Sequence, residues 1–281
     1  MKNLLINIGQ KSKKAFSYKL SSKKKNKVLN DYFHLIRKNK KLIINENKKD
    51  LENANKKKLK RNLLKRLVLD DKKILDIVNS IKKIVKLRDP TNIILEKWQR
   101  PNGLKISKVS IAIGVIGVIY ESRPDVTSDI ASLCFKSGNS VILKGGSEAF
   151  YSNKILSKFF RKSLEKNKID KNFVQFIDIK NRSVVDLLLT KMSKYIDVII
   201  PRGGKSLVKK VQDLSTVPTI GHLEGVCHSY VDKDANPMIA NKVIYNAKLR
   251  NTSVCGATET ILLHEKIMKK LGNSILKNLN N

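Results

Sequence analysis

Acidic residues are scarce in this chain. Only 24 Asp and Glu stand against 58 Lys and Arg over 281 residues, a formal net charge of +34. Cysteine is scarcer still: its three copies, Cys134, Cys227 and Cys255, are odd in number and widely spaced. That excludes a disulfide framework and supplies no zinc-spaced pair. No apolar run approaches the roughly 20 residues that cross a bilayer, so no membrane partner is expected. The best run, Val109 to Tyr120, is short and carries Gly114 and Gly117. Met1 to Gly9 holds one Lys and few apolar residues, too little for a signal peptide. A reducing, cytoplasmic setting is expected. Hydrophobic residues still make up 41% of the chain, which is enough to bury a core and excludes a wholly disordered protein.

The excess charge is uneven. The first 100 residues carry 30 Lys and Arg against 9 Asp and Glu. One reading is a basic nucleic-acid-binding arm. The other is compositional drift, since the chain is rich in Lys, Asn and Ile and its lysines fall on the polar sides of helical patterns. Drift is the better account, so no specific nucleic-acid site is expected. Loose, salt-sensitive adherence to polyanions still follows from the charge.

Residues 1 to 90 read as helices. Asp70 and Asp71 form an N-cap region, the stripe Ile74, Ile77, Val78, Ile81, Ile84, Val85 follows, and Pro90 ends that helix. Two short runs around Asn102-Gly103, within 93–110, predict a hairpin. Ile111 to Tyr120 reads as a strand buried on both faces. From there strands and helices alternate: strands near 140–144, 173–177, 196–200, 217–220, 226–231 and 258–263, with helices between and after them. This spacing predicts an α/β fold with a parallel sheet covered on both faces. Ligands in such sheets bind beyond the carboxyl ends of the strands.

Two glycine turns fall at such ends. Lys144-Gly145-Gly146-Ser147-Glu148 closes a strand and opens a helix, and so does Pro201-Arg202-Gly203-Gly204-Lys205. Glycines let backbone approach a ligand, and helix N-termini offer free N–H groups to anions. The two together favour a dinucleotide or a phosphorylated substrate. Cys255 lies between a helix and a strand, near Lys248 and Arg250, which suits a thiolate. The competing reading is a small packed hydrophobe, and that reading fits Cys134 and Cys227. His222, Cys227 and His228 invite a metal site, but strand parity and the glycines argue against one, and no metal is expected. His34 and His264 have no evident partner.

Longer motifs then align in order: Gly114 to Pro124, Leu133 to Ala149, Tyr195 to Gly204, Gly225 to Asp232, Asn246 to Lys248 and Ser253 to Cys255. They resemble the γ-glutamyl phosphate reductases, also called glutamate-5-semialdehyde dehydrogenases, of the aldehyde dehydrogenase superfamily. The resemblance runs from the first helix to the last. It implies a modified Rossmann cofactor domain, a catalytic domain, and a β-flap used in oligomerisation, with the hairpin as half of that flap. Applied here, it divides the chain into 1–234, the N-terminal helices and cofactor domain, and 235–281, the start of the catalytic domain.

The same resemblance implies NADPH, with Lys144, Gly145, Gly146, Ser147 and Glu148 at the adenosine ribose and its 2′-phosphate, and Gly203 and Gly204 near the pyrophosphate or nicotinamide. It implies Cys255 as nucleophile on L-glutamyl 5-phosphate in proline biosynthesis. Phosphate would leave to give a thioester, which hydride then reduces to the semialdehyde. Asn246 or Arg123 would stabilise the oxyanion, and Arg123, Arg202 and Lys205 would meet the phosphate and carboxylate. Glutamate 5-kinase would be a partner, and the full-length chains form homo-oligomers. Glu224 stands near where aldehyde-oxidising relatives keep a water-activating base. Asp125 replaces the family's usual Asn after Arg-Pro, where it either weakens binding of an acidic substrate or caps a helix. Family chains also continue well beyond Asn281, so this one reads as C-terminally truncated. An active reductase and a fragment that keeps only cofactor binding both fit, and a basic nucleic-acid-binding protein remains the third reading.

Overall fold

Alternation in the apolar strands decides how the molecule layers. A computed structural model describes residues 1–121, 123–221, 225–252 and 254–280, and the backbone alone of Asn62. The chain forms two units, Met1–Gly221 and His222–Asn281. The division falls ahead of 234/235, because a strand beginning at Cys227 finds its partner in the second unit.

The first unit begins with helices α1 (Lys2–Phe16), α2 (Ser22–Lys38), α3 (Lys40–Lys56), α4 (Arg61–Leu67) and α5 (Asp71–Lys86). Strands β1 (Ile94–Gln99) and β2 (Lys105–Val109) pair antiparallel as the expected hairpin, with Gly103 at φ 87° in its turn. Then come β3 (Val115–Tyr120), α6 (Pro124–Lys136), β4 (Ser140–Gly145), α7 (Phe150–Lys166), β5 (Val174–Phe176), α8 (Ser183–Lys191), β6 (Val198–Arg202) and α9 (Lys205–Leu214). The four strands β3 to β6 make a parallel sheet in the order β5-β4-β3-β6.

Successive strand residues face opposite sides. Ile116, Val118 and Tyr120 join Val141, Leu143 and Val174 in a core with residues of α2, α5, α6 and α7. Val115, Ile119 and Ile142 join the opposite core, with residues of α1, α8 and α9. On the first side Phe135 meets Phe160 and Phe173 edge to face, and the buried Tyr32 hydroxyl lies 2.8 Å from Ser128 Oγ.

Four local expectations are corrected. β3 starts at Val115, not Ile111. Gly114 turns the backbone to φ 140°, and Ile111 and Ile113 project into solvent, 80% and 59% exposed. α5 stops at Lys86, four residues before Pro90, because Leu87 already takes extended backbone. The segment around 217–220 makes only a parallel bridge from Thr219 to Ile199, since Pro218 brings no N–H to extend the ladder. Not every lysine is on a polar face. Lys25 is 1% exposed and paired with Asp89 at 2.5 Å, and the buried Lys136 donates to Asn26 Oδ1 and the Val85 carbonyl.

Helix α7 is capped from a distance. Asp50 on α3 accepts from the Tyr151 and Ser152 backbone N–H groups at 3.0 and 2.8 Å, and from Ser152 Oγ at 2.7 Å. Burial raises its carboxyl pKa, and these three bonds oppose the rise. Asp50→Ala would leave one buried and one part-buried amide unpaired, so a loss of about 2 kcal/mol is expected in urea unfolding. A loss below about 0.5 kcal/mol would show that the cap is dispensable.

The second unit is a βαβ unit with a closing helix. β7 (Cys227–Val231) pairs parallel with β8 (Thr258–Leu263) across α10 (Pro237–Leu249), and α11 (Glu265–Asn280) follows. Val231, Ala240, Ile244, Leu271 and Ile275 form its core.

Candidate active site

The carboxyl ends of β3 and β4 open into a cleft of about 490 Å³. Its side of the sheet follows from strand parity. Lys144 comes two residues after Ile142, and Ile119, Val185 and Leu207 line the cleft from that same face. Lys144 is only 5% exposed, and its Nζ donates to the Gly145 carbonyl at 2.7 Å. Burial lowers its pKa, and the nearby Glu148 charge opposes that. The turn beyond it needs small residues. A Cβ on Gly145 would run into the Asn153 amide and the Tyr120 ring. Those groups are held in place, since the Tyr120 hydroxyl lies 2.7 Å from Thr127 Oγ1, which donates to Asn153 Oδ1 at 2.8 Å.

The expected residues Lys144, Gly145, Gly146, Ser147 and Glu148 all line this cleft. Gly203, Gly204, Arg202 and Lys205 do not line it, although they lie on the neighbouring β6–α9 turn. There the Gly204 N–H donates to Glu121 Oε2 at 3.0 Å. A ligand anion at this helix end therefore meets a carboxylate that has to move. Motif reading passed over Glu121, Lys180, Arg182 and Lys210, all of which line the cleft. Glu121 directly follows a buried strand, a position that signals such a site. The other three had no sequence signal, because they come from segments that only the fold brings together. Lys180 lies 4.6 Å from the ring centroids of both Phe150 and Tyr151, and Lys210 pairs with Asp186 at 2.6 Å.

A second cleft, of about 450 Å³, opens in the same unit at the start of α6. Arg123 lines it with Asp125 from the first helical turn, facing side chains of α4 and α5. Asp125 makes no side-chain cap there. Its charge simply complements the positive helix end.

In the second unit Cys255 is exposed in the turn between α10 and β8. Cys227 Sγ donates to the Cys255 carbonyl at 3.3 Å. Lys248 Nζ is bonded to the carbonyls of Thr258 and Glu259, at 3.2 and 3.4 Å. Asn246 is exposed on the last turns of α10. Cys134 is of another kind: burial pushes its thiol up to about 12. No three His, Cys, Asp or Glu side chains among the described residues are placed to hold a metal ion. His222 and Glu224 lie outside the described residues, as does Ser253. No helix among the described residues is long and apolar enough to cross a membrane.

No family model matches the chain. Curated relatives do. The γ-glutamyl phosphate reductase of Magnetococcus marinus is 44% identical over 218 residues, which is 78% of this chain and 51% of that protein. The solved γ-glutamyl phosphate reductase of Thermotoga maritima is 35% identical and superposes with a TM-score of 0.92, over 98% of this chain and 67% of that one. An acetylating aldehyde dehydrogenase from Geobacillus thermoglucosidasius shares the fold, with a TM-score of 0.65 at 17% identity. The chain spans about half to two thirds of the length of the curated relatives it matches, 51% and 66% for two of them. Within that span the aldehyde-dehydrogenase-like architecture runs from the first helix to the last, with more than a third of residues shared with the Thermotoga enzyme, and the chain belongs to the γ-glutamyl phosphate reductase family.

Proposed function

We propose that this chain carries the cofactor cleft and the nucleophile of an NADPH-dependent reductase that converts L-glutamyl 5-phosphate to L-glutamate 5-semialdehyde, with release of phosphate, in proline biosynthesis. One observation carries the proposal. The buried Lys144 and the side-chain-free Gly145–Gly146 turn meet an apolar wall in a cleft at the strand carboxyl ends. The donor set suits adenosine with a 2′-phosphate. Leu63, Ile119, Val185 and Leu207 offer apolar surface to a base, while Lys144, Ser147, Lys180 and Arg182 offer donors to phosphate and ribose oxygens.

Cys255 is the proposed nucleophile. Its exposed thiolate attacks the γ-carbonyl carbon, the C–O bond to phosphate breaks, and phosphate leaves with the electron pair. The product is a thioester on Cys255. Asn246 or Arg123 is the proposed oxyanion donor, and Arg123, Arg202 and Lys205 are the proposed anchors for phosphate and carboxylate. When bound, NADPH supplies the hydride. Gly203 and Gly204 would border its pyrophosphate or nicotinamide once Glu121 yields the helix end. A soluble cytoplasmic homo-oligomer, fed by glutamate 5-kinase, completes the proposal.

The reverse reaction tests it. Phosphate-dependent reduction of NADP⁺ by L-glutamate 5-semialdehyde should be measurable with the 281-residue chain. Saturable NADPH binding without turnover would instead describe a cofactor-binding fragment. Tight RNA binding with no NADPH binding would favour the basic-protein reading. Within the cleft, Lys144→Met should weaken NADPH binding about 10- to 100-fold, as expected for loss of a charge-assisted bond. Fluorescence titration reads this directly, and unchanged affinity would remove Lys144 from the cofactor site.

A further inference from the structure

The cleft at the start of α6 carries charges of both signs. Arg66 and Arg123 are half-buried there, beside Asp76, Asp125 and Asp129. None of these five groups forms an ion pair among the described residues. The neighbouring Lys73 ammonium is bonded to the carbonyls of Lys65 and Val68, at 2.8 and 2.7 Å. Asp129 is fixed from one side: Ser80 Oγ donates to its Oδ1 at 2.7 Å, and Oδ2 has no partner among the described residues. Burial and the Asp125 charge raise the Asp129 carboxyl above its usual value, and the Ser80 bond opposes them. The carboxylate therefore lacks a compensating cation.

A purely anionic ligand would be drawn by the arginines and repelled by Asp125 and Asp129. A purely cationic one would meet the opposite conflict. A ligand with an ammonium and a carboxylate on one carbon satisfies both sets within the span of a small cleft. We propose that this cleft binds the α-amino-acid end of the substrate, with Asp129 taking the α-ammonium and Arg66 and Arg123 the α-carboxylate. Ser80 is a positioning residue that holds Asp129. The inference rests on the proposed substrate and names what would distinguish it from other acyl phosphates. Charge-assisted bonds of this kind set specificity, because an analogue lacking the amino group leaves a partly buried carboxylate unpaired.

Two stable probes separate the terms. L-glutamate γ-methyl ester keeps the α-amino acid, and monomethyl glutarate is the same chain without the amino group. Titration of the full chain should show the amino ester bound at least about 30-fold more tightly. Asp129→Asn should cut that preference to within about threefold. Arg66→Gln should weaken both ligands by about tenfold and leave the preference unchanged, since both keep the carboxylate. Circular dichroism establishes that each variant is folded, and Ser80→Ala gives a milder loss of preference should Asp129→Asn unfold. A preference that survives both Asp129→Asn and Ser80→Ala overturns the proposal, and so does a wild-type chain with no preference. Turnover is assayed in parallel. An Asp129-dependent preference without turnover sustains the site and sinks the proposed reaction. Turnover with an unchanged preference does the reverse.

Discussion

Replacing Cys255 by Ala should abolish turnover, by a factor on the order of 10⁴ or more, while NADPH affinity stays within about twofold. A factor of that size corresponds to about 5 kcal/mol of transition-state stabilisation. It is large because alanine does not weaken the covalent route but removes it. Without the sulfur there is no thioester, and hydride would have to pass directly to the acyl phosphate with no covalent intermediate to hold the acyl group. The NADPH term should stay because every residue lining the cleft proposed for NADPH lies in Met1–Gly221, whereas Cys255 belongs to the other unit. Kinetics of the reverse reaction and fluorescence titration read the two terms separately. Alkylation supplies an independent check. Cys255 is exposed, Cys227 half-buried, and Cys134 buried with its thiol pushed up to about 12. Iodoacetamide near pH 8 should therefore modify Cys255 first and Cys134 last, as mapped by mass spectrometry. A Cys255→Ala chain that keeps a tenth of wild-type activity would exclude the thioester route.

The largest effect on stability is expected at a residue with no part in the chemistry. Lys25 is 1% exposed, and its Nζ meets Asp89 at 2.5 Å, with the Asp89 side chain 16% exposed. Asp89 also accepts from the Thr91 N–H and hydroxyl. Lys25→Met keeps most of the side-chain volume but strands the carboxylate. Breaking a buried pair costs about 3–5 kcal/mol, and water at the Asp89 edge moves the expectation to about 3. Burial alone would raise the Asp89 pKa, but the Lys25 and Thr91 bonds and the Lys25 charge together hold it below its usual value. A lowered carboxyl stabilises the fold above its unfolded pKa, and that contribution disappears as pH falls through the folded value. The gap between wild type and Lys25→Met in urea unfolding should therefore be widest near pH 7 and narrow at acid pH. A gap under about 1 kcal/mol at pH 7, or one that widens in acid, would contradict this account.

Lys25 also shows where patterns in the chain stop being informative. Its neighbours Lys23, Lys24 and Lys27 read as one polar helix face, and nothing local marks the one that pairs inside. The strands were more legible. Val115–Tyr120 and Ser140–Gly145 are apolar, bounded by glycine and buried over their whole length, so their type and the covered sheet followed from composition alone. The Lys144–Glu148 turn was legible for the same reason, since a strand end with two glycines leaves few alternatives. The start of β3 was not, because Gly114 breaks an apolar run that periodicity treats as continuous.

The order of the chain thus determined the alternation of elements, the hairpin, the glycine turn at the strand end and the cysteine between a helix and a strand. These are local matters of side-chain period, backbone freedom and turn chemistry. Tertiary structure alone decided the strand order β5-β4-β3-β6 and the face on which Lys144 lies. It also brought Lys180, Arg182 and Lys210 to the cleft at the ends of β3 and β4, Arg66 to the cleft that holds Asp129, and Ser80 to the Asp129 carboxylate. Such meetings depend on which helix covers which sheet face. That choice is made by the summed burial of many apolar side chains, so no single residue announces it.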